Sequence, residues 1–149
     1  MNDKIILLVE DNPDDEVLTL RALQKNKIAA DIAVARDGVE ALEYLQIGDH
    51  TSSASDRPLP KAILLDLKLP RIDGIEVLRR IRENERTKHL LVIVLTSSLE
   101  KQDLDRAYGL HVNSYIRKPV DFTQFVEAVR QIGLYWLILN EPPPAPGER

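Results

Sequence analysis

Three stretches of the chain are short, unbroken apolar runs that stop on polar residues: Ile5–Val9, behind Lys4, Ala62–Leu65 and Leu90–Leu95. Runs of this length, bounded by turn-forming residues, predict strands buried on both faces. Ile28 to Ala35 alternates instead, as at Ile32 and Val34, and predicts an edge strand; Val112–Ile116 predicts a short fifth strand. Between the strands the apolar spacing becomes helical. Asn12 before Pro13 reads as a helix cap with proline in the first turn, and Val17, Leu20 and Leu23, flanked by Leu18 and Ala22, carry that helix to about Lys25. Asp14 and Asp15 suit the positive end of its dipole and are assigned only that role. Asp37-Gly38 predicts a turn, after which Val39, Ala41, Leu42 and Leu45 predict a second helix. Ile75, Val77, Leu78 and Ile81 predict a third, with Arg79, Arg80 and Arg82 on its wet face. A polar helix comes next, from about Lys101 to Tyr108, closed by Gly109. The last starts near Asp121, with the stripe Phe122, Phe125, Val126, Val129, Ile132 and Trp136.

Strand and helix thus alternate through the chain, which implies a parallel sheet with helices on both faces. Right-handed crossovers then bring the carboxyl ends of all strands to one side. Glu10, Asp11, Asp66, Thr96 and Lys118, distant in sequence, all close strands on that side. Gln46 to Pro60 is a polar loop longer than most connections, hence functional or mobile. Residues 1–139 are read as one domain. Residues 140–149, with Pro142-Pro143-Pro144-Ala145-Pro146, are read as a flexible tail.

Composition narrows the chemistry. The chain has no Cys, which excludes disulfides, thiolate metal sites and cysteine nucleophiles. Its net charge of −4 argues against nucleic acid as a partner. No apolar run approaches the roughly 20 residues that span a bilayer. The run at Ile5–Val9 is too short for a signal peptide, so no membrane partner and a cytoplasmic location are expected. His50, His89 and His111 show no ligand spacing and are expected at the surface.

Carboxylates converging at Glu10, Asp11 and Asp66 would repel one another without a cation. Mg²⁺ (or Mn²⁺) prefers oxygen donors and takes one or two carboxylates together with a phosphate oxygen. A carboxylate is also a nucleophile toward phosphorus. Phosphoryl transfer needs mainly positioning and charge stabilisation. Asp66 as acceptor, Lys118 on one phosphoryl oxygen and the Thr96 hydroxyl with a backbone N–H after Asp66 on another would meet that need. Taken alone, Asp66 would read as a capping aspartate, Glu10-Asp11 as dipole-complementing acids, Thr96 as a cap and Lys118 as a surface lysine; their common edge favours the chemical reading.

These motifs resemble the receiver domain of two-component response regulators: Glu10-Asp11, Asp66 with Leu69-Pro70 and Asp73-Gly74 behind it, Thr96-Ser97, and Tyr115-Ile116-Arg117-Lys118-Pro119. The resemblance covers roughly residues 4 to 136. It implies an α/β, flavodoxin-like (βα)5 three-layer sandwich with strand order 2-1-3-4-5. It implies a phosphorylated Asp66, metal held by Glu10, Asp11, Asp66 and the Lys68 main-chain carbonyl, Thr96 as switch hydroxyl, and Tyr115 as an aromatic that moves with it. It also implies Lys118 on the phosphate and a cis Lys118–Pro119 bond. The expected function is a stand-alone response regulator, a signalling protein rather than an enzyme, loaded by a sensor histidine kinase and read by a phosphotransfer or effector protein. The long loop and the Trp136-Leu137-Ile138-Leu139 ending resemble regulators paired with phytochrome kinases.

Some features depart from the pattern or remain open. Glu10 stands where Asp is at least as usual, and Lys68 and Ser98 occupy positions that in the family tune acyl-phosphate hydrolysis. The Lys68 side chain either covers the phosphate or points to solvent. Leu134, Tyr135, Leu137, Ile138 and Leu139 exceed what a core stripe uses. They either pack back or, with the region of strands four and five, form a homodimer surface. The enzymatic alternative is a haloacid-dehalogenase-type phosphatase, which shares the strand-end Asp, Mg²⁺, Thr and Lys. It needs a second acid two residues after the nucleophile, where this chain has Lys68. A dinucleotide-binding domain is disfavoured because no Gly-x-Gly stands after the first strand. A receiver reduced to an interaction module is disfavoured because all five key groups are present.

Overall fold

The computed structural model describes residues 4–28, 30–48, 58–118 and 121–132. Strands and helices alternate as β1 (Ile5–Val9), α1 (Pro13–Lys25), β2 (Asp31–Ala35), α2 (Gly38–Tyr44), β3 (Ala62–Leu65), α3 (Gly74–Glu83), β4 (Leu91–Thr96), α4 (Lys101–Gly109), β5 (Ser114–Arg117) and α5 (Phe122–Ile132). All strand pairs are parallel, in the order β2-β1-β3-β4-β5. The expected flavodoxin-like order is therefore present, with β2 at an edge.

Alternation along each strand sorts the core into two layers. Leu7, Val9, Ile63, Leu65, Val92 and Val94 point to one face, against Ala41 and Leu42 of α2, Val77, Leu78 and Ile81 of α3, and Ala107 of α4. Ile6, Leu8, Leu64, Ile93 and Leu95 point to the other, against Ala22 and Leu23 of α1 and Phe125 and Val129 of α5. This is why the central strands read as continuous apolar runs. Each such fully buried aliphatic side chain contributes about 1.5–3 kcal/mol. The helices share that burial unequally. α3 buries Val77, Leu78 and Ile81, whereas α4 buries only Ala107 and a carboxylate, Asp103. An element with so little apolar anchorage sits at the low end of local stability.

Local chemistry sets the ends of the elements. Asn12 caps α1, accepting from the N–H groups of Asp14 and Asp15 at 2.9 and 3.1 Å. Asp37 and Asp73 cap α2 and α3 through the N–H of Glu40 and Glu76. The predicted Asp37-Gly38 turn is thus the start of α2. Gly38 is required there because a Cβ would lie 2.1 Å from the Ile72 carbonyl oxygen. The end of α4 differs from expectation. Gly109 is its last helical residue, and the left-handed residue after the Leu110 cap is His111, at φ 60°.

Arg82 also departs from the wet face of α3 that its spacing predicts. Its guanidinium donates to the carbonyls of Leu110, Lys88, Leu90 and His111 at 2.7–2.9 Å. A lysine, with a single nitrogen, cannot reproduce that fork. Burial, with no carboxylate partner among the described residues, holds its pKa below that of a free arginine. Replacing it by Ala strands these carbonyls, and an Arg82→Ala variant is expected to lose about 2–3 kcal/mol in chemical denaturation. Arg82→Lys should recover only part of this; full recovery would show that charge rather than the fork matters.

His89 and His111 are exposed, as expected. His50, the Lys118–Pro119 bond, most of the 46–60 loop, the apolar excess after Ile132 with its homodimer reading, and the proline-rich tail lie outside the described residues.

Candidate functional site

The ladder continues for one residue past several strands. Glu10 N–H donates to Ala35 at 3.0 Å, Asp66 N–H to Val9 at 3.1 Å, and Lys118 N–H to Thr96 at 2.7 Å. The period-two alternation therefore carries over to these strand-end residues. Glu10, Asp66 and Lys118 share the parity of Leu8, Leu64 and Ile116, on the α1/α5 side. Thr96 and Tyr115 share the parity of Val94, on the α3/α4 side. One sheet edge thus presents an ionic cluster to one layer and a hydroxyl and an aromatic to the other.

The ionic cluster is tight. Carboxylate oxygens of Glu10, Asp11 and Asp66 all lie within 4.8 Å of one another. Glu10 and Asp66 are buried, and Asp11 is exposed. The Lys118 ammonium lies 2.5 Å from Glu10 Oε1, 2.8 Å from Asp15 Oδ2 and 3.4 Å from Asp66 Oδ2. Sequence alone gives Asp15 only a helix-dipole role, but its carboxylate contacts the lysine 103 residues away. Burial raises Glu10 to about 7, with the Lys118 hydrogen bond and charge opposing that rise and the Asp66 charge adding to it. Burial pulls the Lys118 ammonium down, but Asp15, Glu10 and Asp66 outweigh it and leave its pKa above that of a free lysine. An all-oxygen cluster with more negative than positive charge fits a hard divalent cation.

The loop after β3 is held from below. Asp66 Oδ1 accepts the Lys68 N–H at 3.1 Å, and Leu67 and Leu69 bury their side chains beside it. Gly74 N–H donates to the Leu67 carbonyl at 2.9 Å. A Cβ on Gly74 would come within 2.3 Å of the Asp66 carbonyl oxygen. The Asp-Gly that ends this loop thus lets α3 start directly against Asp66.

Of the two orientations expected for it, the Lys68 side chain takes the one toward solvent. Its ammonium pairs with Asp103 at 3.3 Å and Glu100 at 3.9 Å, and the hydrogen bond to Asp103 raises its pKa. Thr96 is fully buried, and its Oγ1 accepts the Ser98 N–H at 3.3 Å. Ser98 Oγ donates to Asp103 at 2.5 Å and accepts the Glu100 N–H. Tyr115 is half-buried and stacks on Tyr108 with centroids 6.4 Å apart. Its hydroxyl is buried and makes no hydrogen bond of good geometry among the described residues; burial raises its pKa, and the nearby Ser98 hydroxyl opposes that rise. Asp103 carries no signal of its own in the sequence, because nothing distinguishes it there from the other acids of a polar helix.

A parallel sheet in this order, with an acid cluster and a lysine at its carboxyl edge, defines a receiver module of the two-component type. The chain belongs to that family: residues 6–130 match the response regulator receiver domain. It is 44% identical over 139 residues to the probable methanogenesis regulatory protein FilR2 of Methanothrix harundinacea, covering 93% of this chain and 87% of that one. It is 39% identical over 135 residues to the response regulator Rcp1 of Synechocystis, covering 90% and 89%. Two solved structures each superpose with a TM-score of 0.81 over 95% of this chain and 99% of theirs: the phosphorylated cyanobacterial phytochrome response regulator RcpA at 38% identity and the Mn²⁺-bound form of Rcp1 at 37%. The protein is thus a receiver-domain signalling protein related to phytochrome response regulators. Among the described residues no helix is long and apolar enough to cross a membrane.

Proposed function

We propose that this chain is a cytoplasmic single-receiver response regulator whose phosphoacceptor is Asp66 and whose donor is a phytochrome-type sensor histidine kinase. The observation that carries the assignment of the acceptor is the cluster itself: Asp66 lies within 4.8 Å of two further carboxylates and 3.4 Å from Lys118. The kinase assignment draws on the likeness to RcpA, described as a phytochrome response regulator, and the single-receiver reading on relatives of nearly the same length.

In the transfer, an Asp66 carboxylate oxygen attacks phosphorus and the N–P bond of the phosphohistidine breaks. Its electron pair returns to the imidazole, which takes a proton from solvent. Glu10, Asp11, Asp66 and the Lys68 main-chain carbonyl would hold Mg²⁺ or Mn²⁺, which when bound supplies positive charge to the phosphoryl oxygens. Lys118 exchanges Glu10 and Asp15 for a phosphoryl oxygen. The Thr96 hydroxyl turns toward another, and Tyr115, whose hydroxyl makes no hydrogen bond of good geometry among the described residues, moves into the space vacated. The phosphatase alternative lacks its second acid: the residue two past Asp66 is Lys68, committed to the Asp103 carboxylate.

The protein incubated with a phosphorylated histidine kinase is expected to take up acid-stable, alkali-labile label in Mg²⁺ and none in EDTA. Equal labelling in both, or alkali-stable label, would overturn the assignment.

A further inference from the structure

Resting on Asp66 as the phosphoacceptor, we propose that Asp103 is a positioning residue: it withholds the Lys68 ammonium from the phosphoryl site, and a phosphoryl group on Asp66 draws this lysine away and frees the first turn of α4.

Three observations converge on Asp103. It is buried although it lies in the first turn of a polar helix. Its carboxylate receives the Ser98 hydroxyl at 2.5 Å and the Lys68 ammonium at 3.3 Å. Those two residues stand at equivalent places, each two positions past a key side chain, Asp66 and Thr96. One carboxylate therefore ties the acceptor loop after β3 and the loop after β4 to α4, the helix with the least apolar anchorage. Lys68 is the exchangeable partner. Its side chain is about half exposed, and its own N–H already sits on Asp66 Oδ1. New negative charge on Asp66 competes for that ammonium directly.

The Tyr115 hydroxyl is placed to take over from the departing lysine. It is buried, makes no hydrogen bond of good geometry among the described residues, and lies near Ser98, close enough to feel the charges on Asp103 and Lys68. Loss of Lys68 from Asp103 would leave a buried carboxylate short of a donor beside a phenol short of an acceptor. An Asp103–Tyr115 hydrogen bond then favours the switched arrangement. A contact present only in the resting state lowers the affinity for whatever selects the other state.

The probe is beryllofluoride, which mimics a phosphoryl group on a carboxylate, titrated calorimetrically in excess Mg²⁺ into the full chain. Asp103→Asn keeps an oxygen that accepts the Ser98 hydroxyl but loses the charge that holds Lys68. It is expected to bind beryllofluoride about three- to fivefold more tightly than wild type, the range of an exposed ion pair. In a Lys68→Met background the same substitution should change affinity by less than half as much, and Lys68→Met alone should bind no more tightly than wild type. Unchanged or weaker binding by Asp103→Asn, or an equal gain in both backgrounds, would overturn the proposal. Absence of beryllofluoride binding by the wild-type protein would instead count against Asp66 as acceptor.

Discussion

Asp66→Asn is expected to take up no alkali-labile label from a phosphorylated kinase while remaining as stable as the wild-type protein in EDTA. Labelling is lost because the amide oxygen is no nucleophile toward phosphorus at neutral pH. Stability is retained for geometric reasons. The Asn oxygen still accepts the Lys68 N–H that Asp66 Oδ1 accepts at 3.1 Å. Of the three ion pairs that Lys118 makes, the one to Asp66 is the longest, 3.4 Å against 2.5 and 2.8 Å. Removing the charge also relieves Glu10, which Asp66 pushes upward. Thermal unfolding with and without Mg²⁺ completes the measurement: with one proposed ligand gone, the rise in Tm on adding Mg²⁺ should shrink. Label persisting on this variant would place the acceptor elsewhere, and a large drop of Tm in EDTA would make Asp66 structural.

Lys118→Met should lower the stability of the metal-free protein at pH 8 by about 3–5 kcal/mol, the range for breaking a buried ion pair from one side. The penalty should depend on pH. Glu10 in the folded wild type titrates near 7, above its ordinary 4.5, because it is buried. A carboxyl raised in the folded state holds its proton more tightly there than in the unfolded chain. Its contribution to stability is therefore present at low pH and declines as pH rises from about 4.5 to about 7. Lys118 opposes that rise, so without it the folded-state value climbs further and the decline extends to higher pH. The difference between wild type and variant is then small at pH 5 and largest at pH 8. Millimolar Mg²⁺, a replacement cation, should restore much of it. Urea denaturation at the two pH values, in EDTA and in Mg²⁺, measures all of this. A penalty independent of both would mean that Lys118 acts only through packing.

The elements are readable in the sequence wherever one residue type has one physical use. Leu7, Ile63 and Val92 lie in strands covered on both faces, so their runs are unbroken, and the acids or hydroxyls that end them mark the carboxyl edge. Asn12-Pro13 and Asp73-Gly74 announce helix starts by chemistry confined to a few residues. Features that depend on side chains meeting across the fold are not readable in this way. Asp15 looks like any first-turn acid until Lys118 arrives from the other end of the chain. Arg82 shares a helix with Arg79 and Arg80, which pair with Glu76, yet it faces four carbonyls because the turn after α4 folds back under it. Lys68 finds its place only once α4 brings Asp103 beside it. The left-handed turn falls on His111 rather than on Gly109 because α4 runs one residue further than its polar pattern suggests.

The fork of Arg82 gives the two ends of the sheet different mechanical characters. At the amino-terminal end, a cation that does not titrate in the working range clasps α3, the entry to β4 and the turn into β5 through backbone carbonyls alone. No event at the opposite edge changes the charge of that clasp or offers it another partner. At the carboxyl edge, Lys118 and Lys68 are held by carboxylates for which a phosphoryl oxygen can be exchanged. The molecule thus has a fulcrum and a free end. If α4 is freed as proposed, it is expected to swing about the turn at Leu110 and His111, which Arg82 holds, and to move most at Lys101.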